Sequence, residues 1–410
     1  MAEKTAQGTR RGHDIIIVGG GPAGLTLAVA LVRSVPGIDV ALVDRRPLSV
    51  PRDARASAIA AGVRRVFEAI DVWPGMADAA NPIRAMKITD SGTGDIARPL
   101  FLSFEGEVGP GEAFAHMVPN TASAVALLAA AEGQVTLYAP VAISGFSGHG
   151  ARAELTLEDG RVLTAPLAVA ADGGNSALRG MAKIGVFSHD YKQSGIVTTI
   201  GHEMPHEDTA YEHFRPAGPF ASLPLKGNFS SLVWTETPDR AQALVAMDAA
   251  ALAGEIEAAM GASLGAVHVA DTVQAFPLGL KLARQFVGAR VALIGDAAHV
   301  IHPIAGQGLN LGLKDVAVLA EVLVDAMRLG EDHGAADVLA RYERFRRFDT
   351  ALMAGMTDGL NRLFSNDLAP VRALRDFGLS VVDRLGPVKE GLIHHAAGAD
   401  GAKLLRGVAL

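Results

Sequence analysis

The stretch HDIIIVGGGPAGLTLAVALVRSVPGIDVALVDRR, residues 13–46, constrains the fold of this chain more than any other part of it. The spacing predicts a short buried strand over Asp14–Val18, a turn over Gly19–Gly24, an apolar helix over Leu25–Arg33 and a second strand over Val40–Val43 that ends at Asp44. That is one βαβ unit of about thirty residues, the opening of a parallel sheet. Gly19, Gly21 and Gly24 form GxGxxG at the strand–helix junction. The first permits the tight turn, the second lets backbone approach a pyrophosphate, and the third lets helix and strand pack closely, with the helix amides facing the anion. Asp44 stands twenty residues after Gly24, where a carboxylate can hold ribose hydroxyls. Ala23 and Arg45 flank these positions and belong to the same expected cradle. The plain alternative is a glycine-rich turn beside a capping or surface aspartate, and the strand–turn–helix context argues against it.

Only one such fingerprint occurs. A reductase with separate FAD and NAD(P)H domains needs a second one after a later strand, so any nicotinamide has to bind without a Rossmann domain of its own. The chain contains no cysteine, which removes disulfides, thiolate zinc sites, iron–sulfur ligation and dithiol redox chemistry. Redox work then falls to a bound organic cofactor or to a histidine–carboxylate metal site. A cysteine-free chain fits a reducing cytoplasm. At 410 residues the chain is long enough for two cores, and a net charge of −7 gives no reason to expect nucleic acid as a partner. Its most apolar runs are strand-length, too short to span a bilayer, and the polar first dozen residues are expected to be a disordered lead-in rather than a signal peptide.

Further along, Ser57–Ala69 has helical spacing, residues 83–105 alternate as strands, Thr121–Glu132 predicts a helix and Val135–Leu137 a strand. A hairpin turning at Asp159-Gly160 leads to a buried strand, Leu167–Ala171, ending at Asp172. Residues 185–275 contain strand-like runs, Gly195–Ile200 and Ser231–Thr235 among them, and predict a second, sheet-based domain inserted into the first. A buried strand returns at Val291–Ile294, followed by a loop, a helix through Asp315–Met327 and a helical C-terminal seventy residues.

Two more strands end in an acidic residue. AADGGNSALR places Asp172 and Gly173 after one of them, and VALIGDAAHVIHPIAGQGLNLGLKDV places Gly295 and Asp296 after the other. A carboxylate at a strand's C-terminal end lies on the crevice where doubly wound sheets bind ligands, and it can accept bonds from a polyol chain. The loop Gly306–Gly308 precedes a helix, so its amides can support an anionic ring edge.

GxGxxG, then the DG motif, then the GD motif, in this order, resemble the group A flavoprotein monooxygenases. Within them, GDAAHVIHPIAGQGLNLGLKDV, GPFASLPL and SLVWTE are similar to the FAD-dependent hydroxylases of ubiquinone biosynthesis. The resemblance spans about residues 14 to 350. It implies an α/β fold: a Rossmann-like (GR2-type) FAD-binding domain, an inserted mixed-sheet substrate domain and a C-terminal helical region. The expected division is FAD domain over 12–80, 106–184 and 281–345, substrate domain over 81–105 and 185–280, and helical region over 346–410. Carried over by residue, Gly19, Gly21 and Gly24 hold the FAD pyrophosphate and Asp44 the adenosine ribose. Arg55 contacts the phosphate region, Val141 meets adenine through its backbone, and Asp172 serves the pyrophosphate side and NAD(P)H engagement. Asp296 bonds the ribityl chain. Gly306, Gln307, Gly308, Leu309 and Asn310 line the isoalloxazine ring, with Pro303 near its reactive edge. Asn120 stands where the family often has a basic or amide residue followed by arginine, and the arginine is missing here.

The implied reaction is hydroxylation of a polyprenylated phenol or quinol through a flavin C4a-hydroperoxide, using O2 and NAD(P)H or another electron donor. It needs no protein nucleophile, and the residues name no catalytic acid or base. Phe214, Phe220, Leu223, Phe229 and Trp234 are expected to wall an apolar substrate pocket, although ordinary sheet core explains any one of them equally well. Two alternatives compete. One is the same scaffold acting on a soluble aromatic acid or reducing alkenes; the other is a non-catalytic FAD- or nucleotide-binding protein. His299 and His302, three apart, lack a third ligand with metal spacing, and no metal site is expected. Arg179 is expected to be structural, pairing with a neighbouring acid, and His394 and His395 to be exposed. Leu374, Phe377, Val381 and Leu385 share one helical face beside Arg372, Arg375, Arg384 and Lys389. Core packing is the default for that face. The sharper expectation is a surface for the inner membrane or for other proteins of ubiquinone biosynthesis, on an otherwise cytoplasmic protein.

Overall fold

The computed structural model describes residues 10–50, 53–90, 100–105, 107–109, 111–364 and 401–410. The βαβ opening forms as its pattern requires. Ile15–Val18 and Val40–Val43 pair in parallel, and the helix between them, Pro22–Ser34, starts with proline at its first position. These strands are apolar throughout because both faces of the sheet are covered, one by helices and the other by the strands Arg152–Leu157 and Val162–Ala165. The sheet has six strands in the order Thr136–Tyr138, Val40–Val43, Ile15–Val18, Leu167–Ala170, Val291–Leu293 and Val287–Gly288, parallel except for the last. Asp44, Asp172 and Asp296 therefore all follow the C-terminal ends of neighbouring or near-neighbouring strands.

A second, nine-stranded sheet gathers Ala85–Asp90 and Leu100–Glu105 with the strands of residues 186–283, and His299–Val300 adds to its edge. One of its faces packs against helices Pro238–Val245 and Ala249–Met260, where Ile196, Phe220, Leu232 and Trp234 make a separate core. The other face turns inward, toward the first sheet's crevice. The hairpin at Asp159-Gly160 forms, within a four-stranded sheet that also takes Ile143–His149 and Arg10–Gly12.

The predicted helix over Ser57–Ala69 is half strand. Ala56–Ala60 pairs with Ala115–Pro119, and only Ala61–Ala69 is helical. Alternating small residues carry no strong periodic signal, so the partner strand decides. The helix after the GD motif is longer than predicted, Gln307–Arg328, because Gly306 in a left-handed conformation (φ +64°) starts it a few residues beyond Pro303. The last long helix is Ala336–Phe364. The final ten residues contain one short 3₁₀ turn, Lys403–Arg406, and no α-helix, and bury Leu404 and Leu405 in the main core. The amphipathic pattern over 370–389, together with His394 and His395, lies outside the described residues.

Candidate active site

One cavity of about 1480 Å³ runs from the crevice of the parallel sheet to the inward face of the large sheet. A drug-sized ligand needs roughly 300–1,000 Å³, so this space has room for a dinucleotide and a second molecule. Of the nineteen positions singled out from sequence, all but Gly24 line it. Gly24 lies behind the wall and does what the third glycine of the motif must do: a Cβ there would come within 1.9 Å of the Gly19 carbonyl oxygen. Gly19 itself adopts φ +111°, and at Gly21 a Cβ would meet nothing within 4 Å, so bare backbone opens on the cavity. The first bond within the helix runs from Leu25 N–H to the Gly21 carbonyl, leaving the amides of Ala23 and Gly24 outside the helical ladder. This combination, a tight turn, bare backbone and a helix N-terminus, fits a pyrophosphate.

Asp44 is buried at the end of its strand, accepting bonds from Gly20 N–H at 2.7 Å and Arg46 N–H at 2.8 Å. Those bonds fix the carboxylate beside the glycine turn and leave acceptor capacity for a hydroxyl. Arg45 lines the same region. Val141 donates its N–H to the Asp44 carbonyl at 2.9 Å, so only its carbonyl and side chain remain for a ligand. Asp172 also lines the cavity. Ser176 Oγ donates to its Oδ1 at 2.5 Å and Ala177 N–H to its Oδ2 at 2.7 Å, so it organises the DG turn, where Gly173 takes φ +85°. Arg179 is structural, but among the described residues it forms no ion pair: its guanidinium donates to the carbonyls of Ala297 and Gly174, tying the DG turn to the GD turn.

Arg55 projects across the cavity above the Phe276 ring, 5.3 Å from its centroid, held by a bidentate pair with Asp53 at 2.7 and 2.8 Å. Asn120 Nδ2 donates to the same carboxylate, and Ser57 Oγ donates to Asn120 Oδ1. Asp53 is thus a positioning residue that sequence reasoning missed. Its carboxyl is held below the ordinary range: burial raises it, but the hydrogen bonds from Arg55 and Asn120 outweigh burial.

Asp296 is exposed to the open cavity, within reach of a ligand, with the walls of the crevice close around it. Burial pushes its carboxyl above the usual carboxylate range, against the pull of His299 and Arg55. Gly295 (φ +58°) makes the turn, and its Cα packs closely on Gly312 of the following helix. That helix presents its N-terminus, with Gly308 and Leu309, to the cavity beside Pro303, Gly306 and Gln307. Asn310 is almost wholly buried. Its Oδ1 accepts Ala60 N–H at 2.9 Å and its Nδ2 donates to Ala58 O at 2.8 Å, so at the cavity wall it joins this helix to the strand Ala56–Ala60.

Beneath the loop lies a charge network that sequence reasoning also missed. Asp315, fully buried, accepts bonds from Gly295 N–H (2.9 Å), His299 Nε2 (2.6 Å) and Arg346 Nε (2.7 Å). Burial alone would raise its carboxyl, but His299 and Arg346 hold it below the ordinary range. The signal was present in the sequence: a carboxylate among Leu311, Leu313, Val316 and Leu319 on a core-facing helix needs a buried partner. His299 is thereby a structural residue, and His302 packs edge-on against Tyr191. Among the described residues, no three His, Cys, Asp or Glu side chains gather as a metal site.

The inward face of the large sheet is mostly apolar, with Glu212, Ser231 and Thr235 among its residues, and continues the cavity. Phe214 and Leu223 line it, but Phe220 and Trp234 point to the opposite face, into the core under the two helices, and Phe229 lies at the surface. Successive residues of a strand alternate faces, so Phe220 and Leu223 cannot share one. Met353, Met356, Leu360 and Leu363 of the last long helix close the far side.

A family model described as FAD binding domain matches residues 13–353. Over 97% of this chain and 93% of its own length, the ubiquinone hydroxylase UbiL of Rhodospirillum rubrum is 42% identical. The 3-demethoxyubiquinol 3-hydroxylase of Escherichia coli is 36% identical over 95% of this chain and its entire length. The chain belongs to the FAD-dependent hydroxylases of ubiquinone biosynthesis. As a member of this family it is an FAD-dependent monooxygenase, and neither a non-catalytic binding module nor a metalloenzyme is needed to explain its motifs. The fold is shared with the p-nitrophenol 4-monooxygenase PnpA of Pseudomonas putida, at a TM-score of 0.80 and 18% identity over 94% of this chain and 98% of that one.

Proposed function

We propose that this enzyme hydroxylates the ring of a polyprenylated phenol or quinol on the way to ubiquinone. One observation carries the reading: the dinucleotide crevice and the apolar face of the large sheet are walls of a single cavity. In this reading, Gly19, Gly21, Ala23 and Gly24 cradle the FAD pyrophosphate, Asp44 and Arg45 hold the adenosine end with Val141, and Arg55, steadied by Asp53 and Asn120, answers the phosphates. Asp172 and Gly173 shape the turn beside them. Gly295 and Asp296 meet the ribityl chain, and Pro303 with Gly306–Asn310 lines the ring. When bound, FAD supplies two-electron reduction, from NAD(P)H or another donor, and oxygen transfer from O2. The protein's own part is to position the phenol, exclude water from the apolar half of the cavity and offer the amides of Gly308 and Leu309 to negative charge on the ring edge. The named segments 12–80, 106–184 and 281–345 then form the FAD domain, and 81–105 with 185–280 the substrate domain.

A polyprenyl substrate resides in a bilayer, and the protein must meet it there. Among the described residues no helix is long and apolar enough to cross a membrane. The last long helix offers a different route. Phe345 and Phe348 are 70% and 76% exposed, and Leu352, Met356 and Leu360 continue the same face, of which Met356 and Leu360 also line the cavity. Exposed Arg344 and Arg347 flank the two phenylalanines. An apolar stripe with a basic flank that ends at the cavity suits the inner-membrane surface.

Absorbance of the purified protein before and after incubation with FAD, followed by product analysis with a short-chain prenylphenol, NAD(P)H and O2, tests the reading. A flavin spectrum weakened in Asp296→Ala, together with a product heavier by one oxygen, is expected. Well-folded protein that takes up FAD but hydroxylates only carboxylated, tail-free aromatics would overturn the substrate class.

A further inference from the structure

The family reading leaves the group that accepts the substrate's hydroxyl proton unnamed. On the large sheet, Ile88, Glu212, Ala221, Val233 and Val197 stand opposite one another on five consecutive strands, through the pairs Glu212↔Ile88, Glu212↔Ala221, Ala221↔Val233 and Val233↔Val197. All five line the cavity. Glu212 is only 4% exposed. Among the described residues that line the cavity from this sheet and from the last long helix, it is the only ionisable one; Ser231 and Thr235 of the sheet and Thr357 of the helix add hydroxyls, which do not take protons near neutrality. A carboxylate facing an apolar cavity is costly to bury and marks a functional position. Glu212 also has a contact within the protein, and with two oxygens and about four lone-pair sites a carboxylate can accept a protein bond and a substrate hydroxyl together.

Resting on the substrate class proposed above, we propose that Glu212 is the catalytic residue that binds the ring hydroxyl of the substrate and accepts its proton during hydroxylation. A carboxylate is far too weak a base to ionise a resting phenol, whose pKa is near that of tyrosine, about 10. The balance changes as the ring carbon forms its bond to the incoming oxygen. The ring then becomes cationic and its hydroxyl strongly acidic. That O–H bond breaks, the proton passes to a Glu212 oxygen, and the electron pair becomes the C=O bond of a dienone. The C–H bond at the new C–O carbon next breaks, its pair restores the aromatic ring, the dienone oxygen recovers the proton from Glu212, and the C–H proton leaves to solvent. The C–O bond forms as the O–O bond of the transferred oxygen breaks; the two electrons from the donor go with the other oxygen atom of O2, which takes up two protons and leaves as water, and Glu212 ends unchanged.

The test uses the FAD-loaded protein, a short-chain prenylphenol and the methyl ether of that compound, with binding read by calorimetry in the absence of a reductant. Wild-type protein should bind the phenol about 10–100-fold more tightly than the ether, as expected for a hydrogen bond to a charged group, and Glu212→Leu should bind the two within about threefold. Glu212→Gln keeps an acceptor but cannot take a proton. It should bind the phenol about 3–10-fold more weakly than wild type, still prefer it to the ether, and lower kcat by about 10²–10⁴, far more than the change in binding. Flavin content measured in each variant identifies any that fails to fold, and Glu212→Gln decides if Glu212→Leu does. Undiminished discrimination in Glu212→Leu, or wild-type kcat in Glu212→Gln, overturns the role of Glu212 and leaves the substrate class standing. Wild-type protein that takes up FAD but binds neither compound overturns the substrate class, and the proposal with it.

Discussion

Replacing Asp315 by asparagine tests whether the buried network holds the GD turn in place. The wild-type carboxylate is fully buried and balances Arg346, itself 4% exposed, while accepting bonds from His299 and from the Gly295 amide. Asparagine is nearly isosteric, so no cavity forms, but the negative charge disappears. Breaking a buried pair from one side costs about 3–5 kcal/mol, because the partner charge is left uncompensated. Arg346 keeps Asp349, at 2.6 Å and partly exposed, which places the expected loss near the lower end, about 3 kcal/mol, or about a 150-fold fall in the folded-to-unfolded ratio. Urea unfolding of the apoprotein, followed by circular dichroism, measures it. The Gly295 amide also loses a charged acceptor, so FAD affinity should fall by about tenfold. Adding Arg346→Met should recover part of the loss, giving a clear coupling energy in a double-mutant cycle. A loss below about 1 kcal/mol, or strict additivity of the two substitutions, would refute the view that Asp315 is held in place by these charges.

Three other outcomes follow from the same structure. Gly24→Ala would press a methyl group into the Gly19 carbonyl, 1.9 Å away, and should cost about 1–3 kcal/mol and most of the flavin content; full FAD retention would show that the turn can relax. His302 is fully buried with a pKa lowered to about 4 by burial, so between pH 6.5 and pH 4 the unfolded chain binds a proton that the folded chain refuses. Stability should therefore fall as pH drops through that window, by about 3 kcal/mol from this group, and His302→Leu should flatten the decline in urea unfolding measured at several pH values. Phe345→Ser with Phe348→Ser should reduce flotation with anionic liposomes at least tenfold while turnover of a short, water-soluble prenylphenol stays near wild type; unchanged flotation places the membrane contact elsewhere.

Much of the site is local in the chain, and for that reason legible in it. A strand, three glycines and a helix can make only one kind of crevice, and each of the acids Asp44, Asp172 and Asp296 follows the end of its own strand within a few residues. Alternation along a strand also determines that Glu212 and Phe214 share a face and that Phe220 and Leu223 do not. What alternation leaves open is which face meets the cavity and which meets the helices Pro238–Val245 and Ala249–Met260, since both faces carry apolar residues. Tertiary packing decided that, and placed Trp234 in the core rather than at the substrate. Only the fold could bring Asp315 under Gly295 with Arg346, which comes from another helix, or align Ile88 with Glu212 across more than a hundred residues of chain. A buried charge announces in the sequence that it needs a partner, but the identity of the partner is a fact of three dimensions, because hydrogen bonds and ion pairs act over ångströms and not over sequence spacing.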